Sequence, residues 1–188
     1  MKTKYPRAEA IVVATEIVGL LQPFCYRIAV VGSLRRGLPV VSDVEILLVP
    51  KSATRPADLF NTQSIDIAAE EIDRLVGIGM LSKRPNVNGH FCWGKSNKLA
   101  IHKRSGISVD LFSTSEAHWF VSLVIRTGPG PFNIKLIESA SRQGLKLHAY
   151  ASDSGFTDKN GDDLPCPNEK TVFDLCGMRY LEPKDRLP

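Results

Sequence analysis

Apolar residues at Ile11, Val12, Ile17, Val18 and Leu21 fall close to one helical stripe, and Pro6 stands where a helix start tolerates proline. That spacing predicts a helix over 8–21. Two β-branched apolar runs follow at 27–31 and 44–49. They read as buried strands joined across Gly, Arg and Pro by a loop or a short helical turn. Residues 64–76 carry a helical pattern, capped by Ser64 or Asp66 and ended by Gly77 and Gly79. Short strand-like pieces fill 80–111, divided by Pro85, Asn88-Gly89 and Ser105-Gly106, and an antiparallel sheet is the simplest account of them.

After Phe112 the pattern turns helical, over 115–126 and again over 132–143. The intervening Thr127-Gly128-Pro129-Gly130-Pro131 forces a break, read as the boundary region between two lobes. A strand over 145–150, a loop or hairpin over 152–163 and a short helix over 170–176 complete the chain. The class is α+β, with a mixed sheet in the first lobe. A chain of 188 residues has room for one domain, or for a catalytic half with a small second lobe, divided here as 1–114 and 115–188.

A hydrophobic share of 43% with 23% charged residues is ordinary for a soluble globular protein, and no apolar run reaches the ~20 residues that span a bilayer. The polar first ten residues lead into a segment carrying Glu16 without a small-residue cleavage site. A cytoplasmic, monomeric protein with no membrane partner is expected. Cys25, Cys92, Cys166 and Cys176 form no C-x-x-C pair, which argues for buried thiols over a zinc ribbon or disulfide framework; His90 and Cys92 lack the second close pair that a zinc site needs.

Net charge is only +4, but its distribution is uneven. No acidic residue lies between Asp73 and Asp110, whereas Arg74, Lys83, Arg84, Lys95, Lys98, Lys103 and Arg104 all do. Charge alone leaves a solvated face and a phosphate-binding surface equally open. Position adds something, because the stretch leads into the strand that carries Asp110.

Asp43 and Glu45 stand two apart in a run that otherwise reads as a buried strand, so both point to one face. Two carboxylates buried together need a compensating positive charge, and a divalent cation is the usual one. Asp110 repeats the arrangement at the head of a second apolar strand, 109–112. If the strands are neighbours, three hard oxygen donors converge. Such a set suits Mg²⁺ or Mn²⁺, and two ions ~3.5–4 Å apart serve both oxygens of an in-line phosphoryl displacement. An isolated D-x-E more often marks loop ends and strand edges. Here it follows Gly32-Ser33-Leu34-Arg35-Arg36-Gly37, which offers backbone N–H groups, a hydroxyl and guanidiniums to a polyphosphate.

GSLRRG followed by SDVEILLV resembles the nucleotidyltransferase superfamily signature. VDLF at 109–112 resembles the third-carboxylate strand of the DNA polymerase X family, the group of DNA polymerase β. TGPGPFN at 127–133 resembles that family's T-G-x-x-x-F-N nucleotide-binding turn, GLKLHAY at 144–150 its following strand, and YLEPKDR at 180–186 its closing segment. The resemblance implies a nucleotidyltransferase palm with a mixed sheet, followed by a small α/β thumb. Nothing upstream matches the family's amino-terminal lyase or helix-hairpin-helix units, which implies a minimal palm-plus-thumb form.

Carried over by position, Gly32, Ser33 and Arg36, with Ser42, would bind the triphosphate. Asp43, Glu45 and Asp110 would hold two Mg²⁺, or Mn²⁺, and act as the catalytic carboxylates. Thr127 and Gly128 would shape the sugar pocket, and Asn133 would meet the base of the incoming dNTP. Lys83, Arg84, Lys95, Lys98, Lys103 and Arg104 are the expected contacts to DNA, as primer-template or gapped duplex. The implied activity is DNA-directed addition of dNMP to a primer 3′-hydroxyl, in gap filling or repair with low fidelity. The alternatives are a template-independent terminal transferase and, in another class, a non-catalytic nucleic-acid-binding module. Several positions depart from the pattern. Glu45 replaces the commoner aspartate, Ser42 a glycine, Ser108 an arginine beside the third carboxylate, Arg126 an aromatic residue, and Ile137 an arginine that reaches toward the template.

Overall fold

The computed structural model describes residues 3–58, 61–149 and 154–187. A two-residue strand β1 (Tyr5–Pro6) leads into helix α1 (Arg7–Leu21), which starts directly after Pro6. Its buried face is Ala10, Val13, Ala14, Ile17 and Leu21, while Ile11 and Val12 are exposed. The stripe is therefore rotated from the one formed by the bulky residues, because small alanines let the helix lie close on the sheet.

β2 (Cys25–Val31) runs into the single turn α2 (Gly32–Arg35), followed by β3 (Val40–Val41) and β4 (Asp43–Pro50). The hairpin β5 (Ser52–Pro56) and β6 (Thr62–Asp66) precedes α3 (Ile67–Gly77). The helix expected over 64–76 starts later because Ser64 to Asp66 pair with β5. Asp66 is its cap, accepting from the Ala69 amide at 2.8 Å. β7 (Leu81–Lys83), β8 (Asn97–His102) and β9 (Ser108–Ser113) follow.

Among the described residues these strands form a mixed sheet in the order β2-β4-β9-β8-β7. β4 and β9 run parallel, with Glu45 opposite Asp110, and the other neighbours are antiparallel. On one face Val44, Ile46, Leu48, Val109 and Leu111 pack under α1 and α3. The other face changes character along its length. Leu47, Val49 and Phe112 pack with Val31 against Trp119 and Leu123, whereas Asp43, Glu45 and Asp110 occupy the same face nearer the strand starts.

Trp119 and Leu123 belong to α4 (Trp119–Thr127), which begins after a turn at Ser115 to His118 instead of at 115. Its Val121, Val124 and Ile125 face a second core, made with α5 (Gly130–Arg142), β10 (Lys146–His148), β11 (Gly155–Thr157), β12 (Asp163–Leu164) and α6 (Glu169–Leu175). The strands of this lobe are antiparallel, and Pro131 sits in the first turn of α5. Tyr150 and Ser152, the ends of the expected strand and loop, lie outside the described residues. The four cysteines are free thiols; Cys25, Cys166 and Cys176 are buried, and Cys92 is half-buried.

A buried ion network ties the lobes. Arg35 donates through Nη1 and Nη2 to both oxygens of Glu169, each at 2.8 Å, and Nη1 also reaches Thr127 Oγ1 at 2.7 Å. Arg186, fully enclosed against Phe173 and Tyr180, meets Glu169 from the other side at 3.3 Å. Burial alone would push the Glu169 carboxyl up, but the Arg35 hydrogen bond and the charges of Arg186 and Arg35 hold it below its ordinary range. Glu169→Ala leaves two enclosed guanidiniums without their carboxylate, and we expect a loss of about 3–5 kcal/mol in urea denaturation. A loss under about 1 kcal/mol would show that the network adds no net stability.

Candidate active site

Asp43, Glu45 and Asp110 are brought together by strand register. Asp43 and Glu45 are ~7 Å apart along β4, and Asp110 lies across from Glu45 at the ~4.8 Å spacing of neighbouring strands. Burial pushes the Glu45 carboxyl up to about 7, and the negative charges of Asp43 and then Asp110 push the same way; Arg126 and Arg36 pull it back. Asp110 accepts from Nη2 of Arg84, the residue after β7.

Gly32 closes one side of the site. It has φ +63°, and a Cβ there would lie 1.7 Å from Glu45 Oε2. Only glycine leaves room for that carboxylate. Beside it, the Ser33 hydroxyl oxygen is enclosed with no hydrogen-bond partner, and Ser42 stands half-buried between β3 and β4. Arg36 donates to the backbone carbonyl of Thr127. At the α4–α5 turn a Cβ on Gly128 would meet Phe132 at 2.7 Å and Asn133 Oδ1 at 2.8 Å. Asn133 is buried, and its Nδ2 donates to Ile125 O at 2.8 Å. Thr127, Gly128 and Asn133 thus form one packed unit, and Thr127 joins it to the turn that holds Arg35 and Arg36. Ile137 packs against the second core.

The cations expected to line one DNA surface disperse instead. Lys83 lies over the Trp93 ring at 4.6 Å. Arg84 joins the carboxylates, and Arg104 pairs with Glu16 at 2.9 Å. Lys98 is only 7% exposed and donates to Gly94 O at 2.9 Å. Lys51, Lys95 and Lys98 line a cavity of about 770 Å³ where β4 and β9 end, at the opposite end of the sheet from the carboxylates. Lys95 and Lys103 are exposed. The run of β8 is the cause: Lys98 stands at its start, near the level of Lys83 and Arg84, whereas Lys103 and Arg104 follow its end.

Three partners at the site are not evident from local sequence: Arg84 for Asp110, Arg126 for Glu45, and Glu169 for Arg35. Arg126 lies over the Phe112 ring at 3.7 Å. The one available signal was its departure from an aromatic at 126. As to metal, the donors are hard oxygens of the right kind, the enclosed Ser33 hydroxyl lacks a partner, and Glu45 is enclosed beside two further carboxylates. Among the described residues, however, no three His, Cys, Asp or Glu side chains stand close enough to hold an ion as arranged. The donor atoms are of the kind that a hard divalent cation takes, while Asp110 is engaged with Arg84.

The state of Glu45 predicts how stability responds to pH. Its carboxyl is held at about 7 against an ordinary 4.5, so between those values the folded chain binds the proton that the unfolded chain has released. Stability in the absence of divalent ions is therefore expected to fall as pH rises through that window, by up to ~3 kcal/mol. Glu45→Gln should flatten the slope in chelator-treated protein, and an unchanged slope in that variant would rule out Glu45 as its source.

Among the described residues no helix is long and apolar enough to cross a membrane. The family described as DNA polymerase beta thumb matches residues 122–187, from within α4 to the closing segment. DNA polymerase lambda of Rattus norvegicus is 25% identical over 170 residues, an alignment that covers 82% of this chain. The chain spans 28% of the length of that relative. The mixed α+β architecture, the thumb match over the second lobe and the match to a polymerase across both lobes agree in relating the chain to the DNA polymerase X family.

Proposed function

We propose that the chain is a DNA nucleotidyltransferase that adds dNMP from a dNTP to a primer 3′-hydroxyl, filling gaps or extending recessed ends. The observation that carries this reading is the cross-strand register of Glu45 and Asp110, with Asp43 on the same face, beside the glycine turn and the partnerless Ser33 hydroxyl. Asp43 and Glu45 would hold two divalent ions, Mg²⁺ or Mn²⁺, and Asp110 would complete the site nearest the primer end. When bound, such ions neutralise the triphosphate and favour the ionised 3′-hydroxyl. Ser33 Oγ would donate to a phosphate oxygen, and the amides of the Gly32 turn would face the same group. Arg36 would join them by exchanging the Thr127 carbonyl for phosphate, a better partner for a guanidinium. Thr127 and Gly128 would bound the sugar, with Asn133 toward the base once its amide leaves Ile125 O.

Asp43→Ala, Glu45→Ala and Asp110→Ala are each expected to lower incorporation on gapped DNA by ~10² or more with the fold retained. Near wild-type turnover in any of them would remove that residue from the site. Assays on gapped, recessed and single-stranded DNA, with dNTPs and with rNTPs, separate templated from untemplated addition and a polymerase from a binding module.

Ile137 carries no hydrogen-bonding group, so readout of the nascent pair loses a polar contact where the family pattern has arginine. Discrimination between correct and incorrect dNTPs is expected to fall short of ~10⁴ in kcat/KM. Values at or above that level would show that Ile137 does not limit fidelity.

A further inference from the structure

Asp110 already has a cation. Arg84 reaches it across β8, and the two side chains are 15% and 13% exposed. On its own strand Asp110 has no basic neighbour on the same face, where Ser108 precedes it. Arg84 is held in place with effort. Its Nη1 donates to Pro85 O at 3.1 Å, and its Nε is enclosed with no hydrogen-bond partner. A guanidinium with a buried, unsatisfied N–H pays a desolvation cost that its carboxylate partner offsets. Glu45, by contrast, feels Arg126 and Arg36, and these belong to other elements. Arg84 is thus paired with Asp110.

We propose that Arg84 is the resident counter-ion of Asp110, balancing its charge when no divalent ion is bound, so that a divalent ion loads by competing with this guanidinium. The inference rests on the metal-site reading above. Two effects of Arg84 on an incoming ion oppose each other. A neighbouring positive charge repels the ion, while a fixed hydrogen bond orients the ligand oxygen. Orientation by an outer partner is worth ~10–100-fold in metal affinity. Repulsion acts between a single and a double charge a few ångströms apart in a partly enclosed site, where screening by solvent is weak, and it is the larger effect. Arg84 is accordingly a positioning residue whose removal strengthens metal binding.

The test uses the full chain without nucleotide and Mn²⁺ as the probe, with free Mn²⁺ read by electron paramagnetic resonance. Arg84→Met, which keeps length and loses charge, is expected to bind Mn²⁺ about tenfold more tightly than wild type. Arg84→Lys, which keeps the charge, is expected to stay within a few-fold of it. In chelator-treated protein the double variant Arg84→Met with Asp110→Asn is expected to be more stable than the sum of the single losses allows, because it removes both members of the pair. Mn²⁺ binding that ignores Asp43→Asn would overturn the metal reading and this proposal with it. Binding that is lost in Asp43→Asn but unchanged or weaker in a folded Arg84→Met would leave the metal reading standing and overturn the counter-ion role. Strict additivity in the metal-free cycle would overturn it as well.

Discussion

Like charges on neighbouring strands repel, and the repulsion among Asp43, Glu45 and Asp110 sets what the surrounding structure has to supply. Parallel pairing of β4 and β9 places Glu45 against Asp110 without any turn between them, because the chain travels through α3 and two hairpins before it returns. The same sheet face becomes apolar one residue pair further on, where Leu47, Val49 and Phe112 meet α4. Each strand therefore anchors itself in a core at one end and presents a carboxylate at the other. Rigidity at the apolar end keeps the charges together against their repulsion.

Positive charge is gathered to the site from several elements, and the order in which they come explains the connection of the lobes. Arg35 ends α2 and Arg36 follows it, yet their side chains separate. One grips Glu169 and Thr127 Oγ1, and the other meets the Thr127 carbonyl. The loop facing the carboxylates is thereby fastened to the end of α4 and to the start of α6. α4 also contributes to both cores, so one helix is shared between them.

Much of this was legible in the sequence, for identifiable reasons. Alternation in 43–49 and 109–112 fixes which side chains share a face, and D-x-E within an apolar run is costly enough to signal a charge-compensated site. Glycine and proline punctuation located the break between α4 and α5. Long-range partners were not legible, since no local pattern links Arg35 to Glu169 or Arg84 to Asp110. Helix starts were displaced where pairing or a turn competed with helical propensity, as at Ser64 and Ser115. The basic run from Lys83 to Arg104 does not make one continuous patch, because charge counted along a chain ignores where the strands carry it. β8 carries Lys98 at its start and leaves Lys103 and Arg104 past its end, and a residue such as Lys98 can bury its ammonium.

Two departures from the family pattern meet in one place. Glu45 has one methylene more than aspartate, and its Oε2 lies where only the absent Cβ of Gly32 leaves space. A longer carboxylate seated that deeply loses solvent, which is the largest cause of its raised pKa. Arg126, standing in place of an aromatic residue, is among the charges that pull that pKa back down, and its guanidinium rests on the Phe112 ring at 3.7 Å. The ring supplies a flat apolar support with a negative face, and the guanidinium resting on it brings a positive charge to bear on the deeper carboxylate. Taken singly, the glutamate worsens the charge balance and the arginine adds a cation to a packed junction. Taken together, each supplies what the other lacks, and the two substitutions are better understood as one.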